Sequence, residues 1–596
     1  MPRHSEPLLS PLQKRVPARV PAPNIALAPE IDRRAFLYLS LIGAAAASLS
    51  GASAAGQTVP AGTPTPTPLP LLGNPEAPAL QFMPHPEGTG AVMERLVRER
   101  GAAAFERSPF RIGSWSGTMP TSPEELAFLP AHRLSALIKA RQLTSVRLTE
   151  VYLERIERLN PTLLCAVTVL RESALAEAAR ADAEIAAGRD RGPLHGLPYG
   201  LKDLFDTKGI PTTWGSPDFE DHVPDQDAEV VVRLREAGAV LVAKLATGIF
   251  AQNDQWFRGR TNNPWNLAQG SSGSSAGPGS ATAAGLVAFA IGTETQGSIT
   301  SPSIRNGISA LRPTFGRVSR HGGMVLAWSQ DRVGPMCRTV EDCAMVFSVI
   351  HGVDGKDAST VTMPFAFDPK LNLASLRIGY DEASPPELIE GLRALGAMPV
   401  PIGARPRPQD YGLGIGGLNA EYAAAFDFLV QRKAQEMGLD LTTLASPAAK
   451  PGGLSAPYGE MPAAYTQSPM APANWNPRFV NGRSIQAHDY INAQRRRLLY
   501  IRKYHEVMGN LDLFVGSAPG WDVAPNAQTG HPCVVVPYKF DVPVQLTTTN
   551  PPLKLKAQPI CGILIGALYR DDVLLSVAHQ LQVANGIALR HPALSA

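Results

Sequence analysis

The chain has few cysteines for its length of 596 residues. Its five cysteines, Cys165, Cys337, Cys343, Cys533 and Cys561, are far apart, and neither a Cys-x-x-Cys pair nor a histidine cluster at metal-ligand spacing accompanies them. This pattern argues against a zinc site and a dense disulfide framework, and it predicts buried, apolar cysteines. No metal ion or other cofactor is therefore expected.

An excess of charge of one sign is also missing. Lys and Arg total 55 against 52 for Asp and Glu, so the formal net charge is +3. Proteins that bind polyanions usually carry a strong basic excess. We therefore expect no nucleic-acid partner.

One apolar run near the N-terminus resembles an export signal. Arg33 and Arg34 precede an Ala-rich stretch that ends in small residues around Ala54 and Ala55. The pattern is typical of a twin-arginine signal cleaved after one of these two alanines. It predicts an exported, periplasmic or secreted protein with no stable membrane insertion after cleavage. An uncleaved anchor is the alternative, since the run is nearly long enough to span a membrane.

The rest of the chain divides by composition. Composition predicts that residues 1–55 form the export signal, with a disordered beginning. It predicts that residues 56–119 form a Pro/Thr-rich tether followed by an irregular extension, with a helical pattern at 93–105. From residue 120 to 596, helical periodicity alternates with short apolar runs. This alternation predicts one large α/β domain, with a mixed, mostly parallel sheet covered by helices on both faces. Residues 405–487 are Pro/Gly-rich, and we expect them to shape a substrate pocket.

Individual elements follow from the spacing of apolar residues. Helices are predicted at 126–140, 146–159, 172–187, 230–237 and 571–584. Strands are predicted at 240–243, 376–380, 512–515, 534–536 and 562–566, and a strand followed by a helix at 333–350.

The most unusual stretch runs from Gln269 to Ser298. Nine of the eleven residues from Gly270 to Ser280 are Gly or Ser, a composition found in flexible linkers. The stretch continues directly into the uncharged, apolar residues 281–292, which predict a buried element. A second turn, Thr293 to Ser298, follows, and glycine there lets backbone N–H groups converge on a ligand. Two serine-bearing loops are thus predicted at the two ends of one buried element.

A lysine upstream is the third candidate. Lys202 follows the Gly/Pro-punctuated apolar run Gly196-Leu197-Pro198-Tyr199-Gly200-Leu201, which draws its stem toward the interior. A lysine in such a place usually extends its amine to the surface. The two serine loops favour a catalytic role instead.

Several short motifs stand in one order along the chain: Leu143-Thr144-Ser145, Gly192-Pro193-Leu194-His195-Gly196-Leu197-Pro198, Lys202-Asp203, Gly215-Ser216, the Gly/Ser loop, Leu311-Arg312-Pro313-Thr314-Phe315-Gly316, Gly334-Pro335-Met336 and Thr529-Gly530-His531-Pro532. From about Pro120 onward the chain thereby resembles the amidase signature family. The resemblance implies a lysine base, a bridging serine in a cis peptide and a nucleophilic serine.

The resemblance assigns these roles to Lys202, Ser274 and Ser298. The Gly/Ser loop contains two Ser-Ser pairs, and the family places its bridging serine 24 residues before the nucleophile. Ser274 lies 24 residues before Ser298, whereas Ser271 lies 27 residues before it. The oxyanion hole implied by the resemblance consists of the backbone N–H groups of Thr295, Gln296, Gly297 and Ser298.

The implied activity is hydrolysis of a carboxamide, or of a related aryl-amide, ester or carbamate bond, in a small-molecule or peptide substrate. Gln296 replaces a glycine of many members and Thr300 replaces an arginine. Together with Ser329-Gln330-Asp331, these departures resemble the secreted peptide-amidase branch.

Two alternatives remain open. One is an amidotransferase A-type subunit that acts on charged tRNA with partner proteins, which an export signal disfavours. The other is a non-catalytic exported binding protein on an amidase scaffold, which the presence of all three catalytic residue types disfavours.

Overall fold

The computed structural model describes residues 82–113, 117, 119–413, 416–441, 477–517, 523–544 and 553–594. The described residues, from Phe82 onward, belong to one compact unit. The twin-arginine pattern, its cleavage site and the Pro/Thr-rich tether lie outside the described residues. Within the described ranges, no helix combines the length and the apolar character needed to cross a membrane.

The helices in the first part of the chain are α1 Gly88–Arg100, α2 Pro123–Phe128, α3 Ala131–Lys139, α4 Ser145–Leu163, α5 Arg171–Ala186, α6 Glu229–Glu236, α7 Ala276–Ala283 and α8 Thr300–Asn306. Those in the second part are α9 Val340–Ile350, α10 Pro386–Ala394, α11 Gly416–Ala425, α12 Asp427–Met437, α13 Pro477–Arg483, α14 Ala487–Met508, α15 Val523–Gln528 and α16 Asp571–Asn585.

The strands are β1 Ala166–Val169, β2 Pro198–Lys202, β3 Val240–Leu245, β4 Gln255–Trp256, β5 Gly259–Arg260, β6 Asn262–Asn263, β7 Asn266–Gly270 and β8 Phe289–Glu294. The remaining strands are β9 Ser309–Arg312, β10 Arg332–Cys337, β11 Ile378–Tyr380, β12 Val400–Pro401, β13 Leu513–Val515, β14 Cys533–Asp541 and β15 Gln558–Gly566.

Eleven strands form the central sheet in the order β1-β3-β2-β8-β10-β9-β14-β15-β13-β11-β12. Strands β3, β2 and β8 are mutually parallel, as are β13, β11 and β12. The other six pairings are antiparallel. The predicted α/β class and mixed sheet are confirmed, while parallel pairing is confined to these two groups. Apolar runs buried on both faces carry no sign of strand direction, so the sequence did not reveal the antiparallel pairs.

Helices cover both faces of the sheet, and each face has its own core. The start of β3 contributes to both cores: Leu241 belongs to the core that includes residues of α3, α6 and α9, whereas Val240 and Val242 belong to the core that includes residues of α4, α5 and α7. Each buried Val, Leu or Ile side chain contributes about 1.5–3 kcal/mol relative to exposure. The predicted two-sided covering is confirmed.

Local chemistry sets the helix boundaries. The helix predicted at 126–140 is two helices, because Pro130 has no N–H to continue the first and stands just before the second. Ser122 caps α2 by accepting a hydrogen bond from the Glu125 amide, and Thr144 caps α4 in the same way from Arg147. The five cysteines are buried, as predicted.

Two segments are more ordered than their composition indicated. In the extension, α1 begins at Gly88 rather than at 93, and it packs Val92 and Leu96 against Leu568 and Tyr569. The described parts of residues 405–487 contain α11, α12 and α13. Glycines at the start of α11 concealed it, since glycine is a poor helix former.

Candidate active site

A helix-strand hairpin brings the two serine loops together. Helix α7 leads into a turn at Gly285, where φ is +62° and an added Cβ would contact the ring of Phe128. The chain then returns as β8. The prediction of one buried element with a serine loop at each end is therefore wrong. Two elements fold back on each other because a left-handed glycine separates them, and both loops lie on the same side.

Backbone and hydroxyl groups join the two loops directly. The Ser275 hydroxyl donates to the Thr293 carbonyl at 3.1 Å and accepts from the Thr293 amide at 3.2 Å. The Ser275 amide donates to the Ser298 carbonyl at 3.0 Å. Ser298 is thus held beside the residue that follows Ser274.

Lys202 reaches this junction from the end of β2, which lies between β3 and β8. Its side chain is fully buried, with its Nζ 2.8 Å from Ser274 Oγ and 2.8 Å from Thr293 Oγ1. The peptide bond between Gly273 and Ser274 is cis, the form that the resemblance implies for the bridging serine. Of the three predicted catalytic residues, the structure places Lys202 and Ser274 in contact.

Ser271, the competing candidate, faces other groups. Its hydroxyl donates to the Ser272 carbonyl at 3.0 Å and lies 3.2 Å from the Ala276 carbonyl oxygen. These contacts hold the Gly/Ser loop against the start of α7. The structure therefore joins Lys202 to Ser274 and not to Ser271.

Burial lowers the pKa of Lys202 well below its usual 10.5, because the charged amine loses its hydration; the nearby carboxylates of Asp331 and Glu294 oppose this effect. Among the described residues no carboxylate lies within ion-pair distance of its Nζ. A second buried lysine shows the contrast: Lys244 Nζ lies 3.4 Å from Asp203 and also donates to the Phe205 carbonyl. Burial lowers the pKa of both lysines, but Asp203 opposes the effect at Lys244, so Lys202 is the one whose surroundings more strongly favour the neutral amine that a base requires.

The nucleophile turn, residues 295–298, carries Ser298. Its side chain is half-buried, and Gly297 has a φ of +137°, which a side chain would strain. No described residue accepts a hydrogen bond from the amides of Gln296, Gly297 or Ser298. Amides left open next to a serine are what an oxyanion hole requires.

Glu294, which precedes this turn, is hydrogen bonded to the residues that follow it. One carboxylate oxygen accepts hydrogen bonds from the Ile299 amide at 2.8 Å, the Thr300 amide at 2.7 Å and the Thr300 hydroxyl at 2.9 Å. The other oxygen lies 2.6 Å from Arg312, and both charged side chains are fully buried. The carboxylate thereby bridges the two ends of the turn. Thr300, a departure from the family pattern, is one of its donors.

The wall loop, residues 326–331, packs against the nucleophile turn. Thr295 Oγ1 donates to Asp331 Oδ1 at 2.6 Å, and Gln296 Nε2 donates to Gln330 Oε1 at 2.9 Å. The other Asp331 oxygen accepts from the amides of Leu326 and Ala327.

A small cavity of about 20 Å³ lies beside the wall loop. Its lining includes Thr293, Thr295, Asp331 and Phe205. Thr293 also contacts Lys202, so one residue of the cavity lining touches the buried lysine.

The sequence did not predict the contacts that Thr293, Glu294 and Arg312 make at this site. A signal was present for Glu294, which is the only charged residue from Gly270 to Ile304. A lone charge in an apolar stretch indicates a buried partner, but the sequence does not say which arginine supplies it.

The region predicted to shape the pocket, residues 405–487, is only partly described. Asn474, Trp475 and Asn476 lie outside the described residues. Phe479 is fully buried and stacks on Tyr422 with ring centroids 4.9 Å apart, so its role is packing.

Comparison with known proteins decides the family. The profile described as Amidase matches residues 147–550. This chain belongs to the amidase family. The match includes Lys202, both serine loops and the wall loop.

Curated relatives of this amidase-family chain fall into two groups. The A-type subunit of a glutamyl-tRNA(Gln) amidotransferase from Methylococcus capsulatus is 45% identical over 234 residues, which is 39% of this chain and 48% of the relative. A putative amidase, AmiD, from Mycobacterium bovis is 45% identical over 256 residues, which is 43% of this chain and 54% of the relative. The chain spans about half the length of the curated relatives it matches.

Solved structures of similar fold extend the match. The native peptide amidase from Stenotrophomonas maltophilia is 28% identical, with a TM-score of 0.62 over 78% of this chain and 98% of that one. The 6-aminohexanoate cyclic dimer hydrolase is 21% identical with a TM-score of 0.60 over 78% of this chain and 99% of that one, which shows a shared fold.

Proposed function

We propose that this amidase-family chain hydrolyses a carboxamide, or a related aryl-amide, ester or carbamate bond, with Ser298 as nucleophile, Ser274 as bridge and Lys202 as base. The observation that carries the proposal is the 2.8 Å contact between Lys202 Nζ and Ser274 Oγ, made by a fully buried lysine with a strongly lowered pKa. The contact places a base beside the second hydroxyl, which in this proposal passes the proton on from the Ser298 nucleophile.

The hydrogen bonds of Lys202 support the first part of the proposed proton path. Thr293 Oγ1 accepts an N–H of the Lys202 amine, which leaves the nitrogen lone pair free to accept the Ser274 proton. As Ser298 Oγ bonds to the substrate carbonyl carbon, its proton passes to Ser274 and the Ser274 proton passes to Lys202. The open amides of the nucleophile turn stabilise the resulting oxyanion.

The same groups return the proton. When the C–N bond breaks, the proton moves from Lys202 through Ser274 to the departing nitrogen, and the amine leaves. Water then attacks the acyl-enzyme and gives its proton to the same path. The carboxylate product leaves, and Ser298 regains its hydrogen.

A second candidate has support from relatives. The A-type amidotransferase subunits match at 41–45% identity, although over only 39–46% of this chain. An A-type role on charged tRNA would require partner proteins, whereas the peptide-amidase fold match covers nearly the whole of that enzyme. We favour the hydrolase and the peptide-amidase branch on this ground.

A substrate panel tests the proposal. Purified chain should release product from at least one class among peptide amides, anilides, esters and carbamates, without a partner protein. If none is turned over but amidation of charged tRNA occurs once the other subunits of such an amidotransferase are added, the second candidate is correct. If neither reaction occurs, the binding-scaffold alternative stands.

Export through the twin-arginine route is part of the proposal. Replacing Arg33 and Arg34 together by lysine should keep folded, active enzyme in the cytoplasm, because that route reads the arginine pair. Cell fractionation with activity assays measures it, and Arg15→Lys with Arg19→Lys is the matched control. Undiminished mature protein outside the cytoplasm in the first variant would contradict this route.

A further inference from the structure

Two charged side chains, Glu421 and Arg497, bind the wall loop at Ser329. Its Ser329 amide donates to Glu421 Oε2 at 2.9 Å, and its hydroxyl donates to Glu421 Oε1 at 2.6 Å. Arg497 donates to the same hydroxyl at 2.8 Å and to the Ser329 carbonyl at 3.1 Å. All the polar groups of one residue are therefore held by two charged side chains.

Both charged residues are buried and come from separate helices. Glu421 of α11 is 5% exposed and Arg497 of α14 is 4% exposed. Arg497 also donates to the Gln528 carbonyl at 2.8 Å, and Tyr490 of α14 donates to Glu421 at 3.3 Å. A buried charge is costly unless it is hydrogen bonded, so these contacts fix the position of Ser329.

The residues after Ser329 transmit this position to the nucleophile turn. Gln330 accepts from the Gln296 side chain and Asp331 from the Thr295 side chain, at 2.9 and 2.6 Å. Two of the four residues that supply the proposed oxyanion hole are thus hydrogen bonded to neighbours of Ser329. The hydrogen bonds form one continuous path from α11 and α14 to the nucleophile turn.

We propose that Glu421 and Arg497 are positioning residues that set the oxyanion hole of this enzyme through Ser329, Gln330 and Asp331. The proposal rests on the proposed function and adds a role for the helices around the divergent region. Oxyanion contacts form in the transition state, so a displaced turn lowers kcat more than it changes KM. A misplacement of about 1 Å can cost on the order of 10²-fold in rate.

The main variants are Glu421→Ala and Arg497→Met. We expect each to lower kcat per active site by about 10–100-fold, with KM changed by less than about threefold. Glu421→Gln keeps one acceptor oxygen and should recover part of the loss. Glu506→Ala on α14 and Glu436→Ala on α12 remove exposed ion-pair partners and should leave kcat unchanged.

A fluorophosphonate probe separates positioning from folding. The final extent of labelling counts folded sites, and the rate constant of labelling reports the transition-state geometry. Positioning predicts a normal extent with a slower rate constant in Glu421→Ala and Arg497→Met. A reduced extent with normal kcat per labelled site would show a purely structural role and overturn the proposal.

A double-variant cycle tests the path itself. Combining Glu421→Ala with Gln330→Ala should lower kcat by clearly less than the product of the two single losses, because both act on one chain of contacts. A loss equal to the product would contradict the path. Wild-type enzyme that neither labels nor turns over would instead contradict the proposed function, so the two failures are distinguishable.

Discussion

Replacing Lys202 by methionine will lower kcat by about 10²–10⁴-fold, the range measured for loss of a positioned acid-base group. Methionine fills the buried channel without an amine, so Ser274 loses its 2.8 Å partner while the surrounding packing remains. Initial rates on the best substrate of the panel measure the effect. Lys208→Met, an exposed lysine six residues later, is the control and should retain full activity.

The dependence of kcat/KM on pH is an independent test of the role of Lys202. Lys202 acts only when neutral, so kcat/KM should fall tenfold per pH unit below its pKa in the free enzyme. Burial lowers that pKa well below 10.5, so the neutral amine forms at a lower pH than in an exposed lysine. Rates that stay level through the acid range, on enzyme shown to remain folded, would contradict the role of Lys202. So would an unaltered kcat in Lys202→Met.

Ser274→Ala and Ser271→Ala will have very different effects although the two serines are three residues apart. Ser274→Ala breaks the only described side-chain link between Lys202 and the Gly/Ser loop, and we expect a loss of about 10²-fold or more in kcat. Ser271→Ala removes contacts to the Ser272 and Ala276 carbonyls. We expect this loss to lower the free energy of unfolding by about 1 kcal/mol. Its kcat should change little.

Steady-state kinetics and thermal unfolding of both variants measure this difference. Each substitution changes one serine of the Gly/Ser loop to alanine and so removes one hydroxyl group. Each variant therefore serves as the matched control for the other. A strong loss of kcat in Ser271→Ala with near-normal Ser274→Ala would reverse the assignment of the bridging serine.

The sequence predicted the local elements well because their signals are local. The periodicity of residues 146–159 and 172–187 corresponds to α4 and α5, and the apolar run at 240–243 lies within β3. Strand direction was not accessible, since a run such as Val534–Val536 is equally apolar in a parallel or an antiparallel sheet. The hairpin of α7 and β8 was missed because a single glycine, Gly285, marks the reversal.

In the candidate site, too, the sequence revealed the residues with local signals and not those brought in by distant contacts. Lys202, Ser274 and Ser298 could be assigned because short motifs with fixed spacing contain them. Glu421 and Arg497 could not, since they lie 92 and 168 residues from Ser329 and belong to segments without a recognisable motif. Which buried charge meets which polar group depends on the packing of distant helices.

Covalent labelling of Ser298 tests the central claim most directly. In the reaction a bond forms between Ser298 Oγ and the phosphorus of a fluorophosphonate, fluoride leaves, and the hydroxyl proton passes through Ser274 to Lys202. Peptide mapping of folded wild-type protein at mildly alkaline pH should find one adduct, on Ser298, among all the serines of the two loops. Its rate of formation should fall as the pH is lowered. An adduct on another serine, or none at all, would contradict the account.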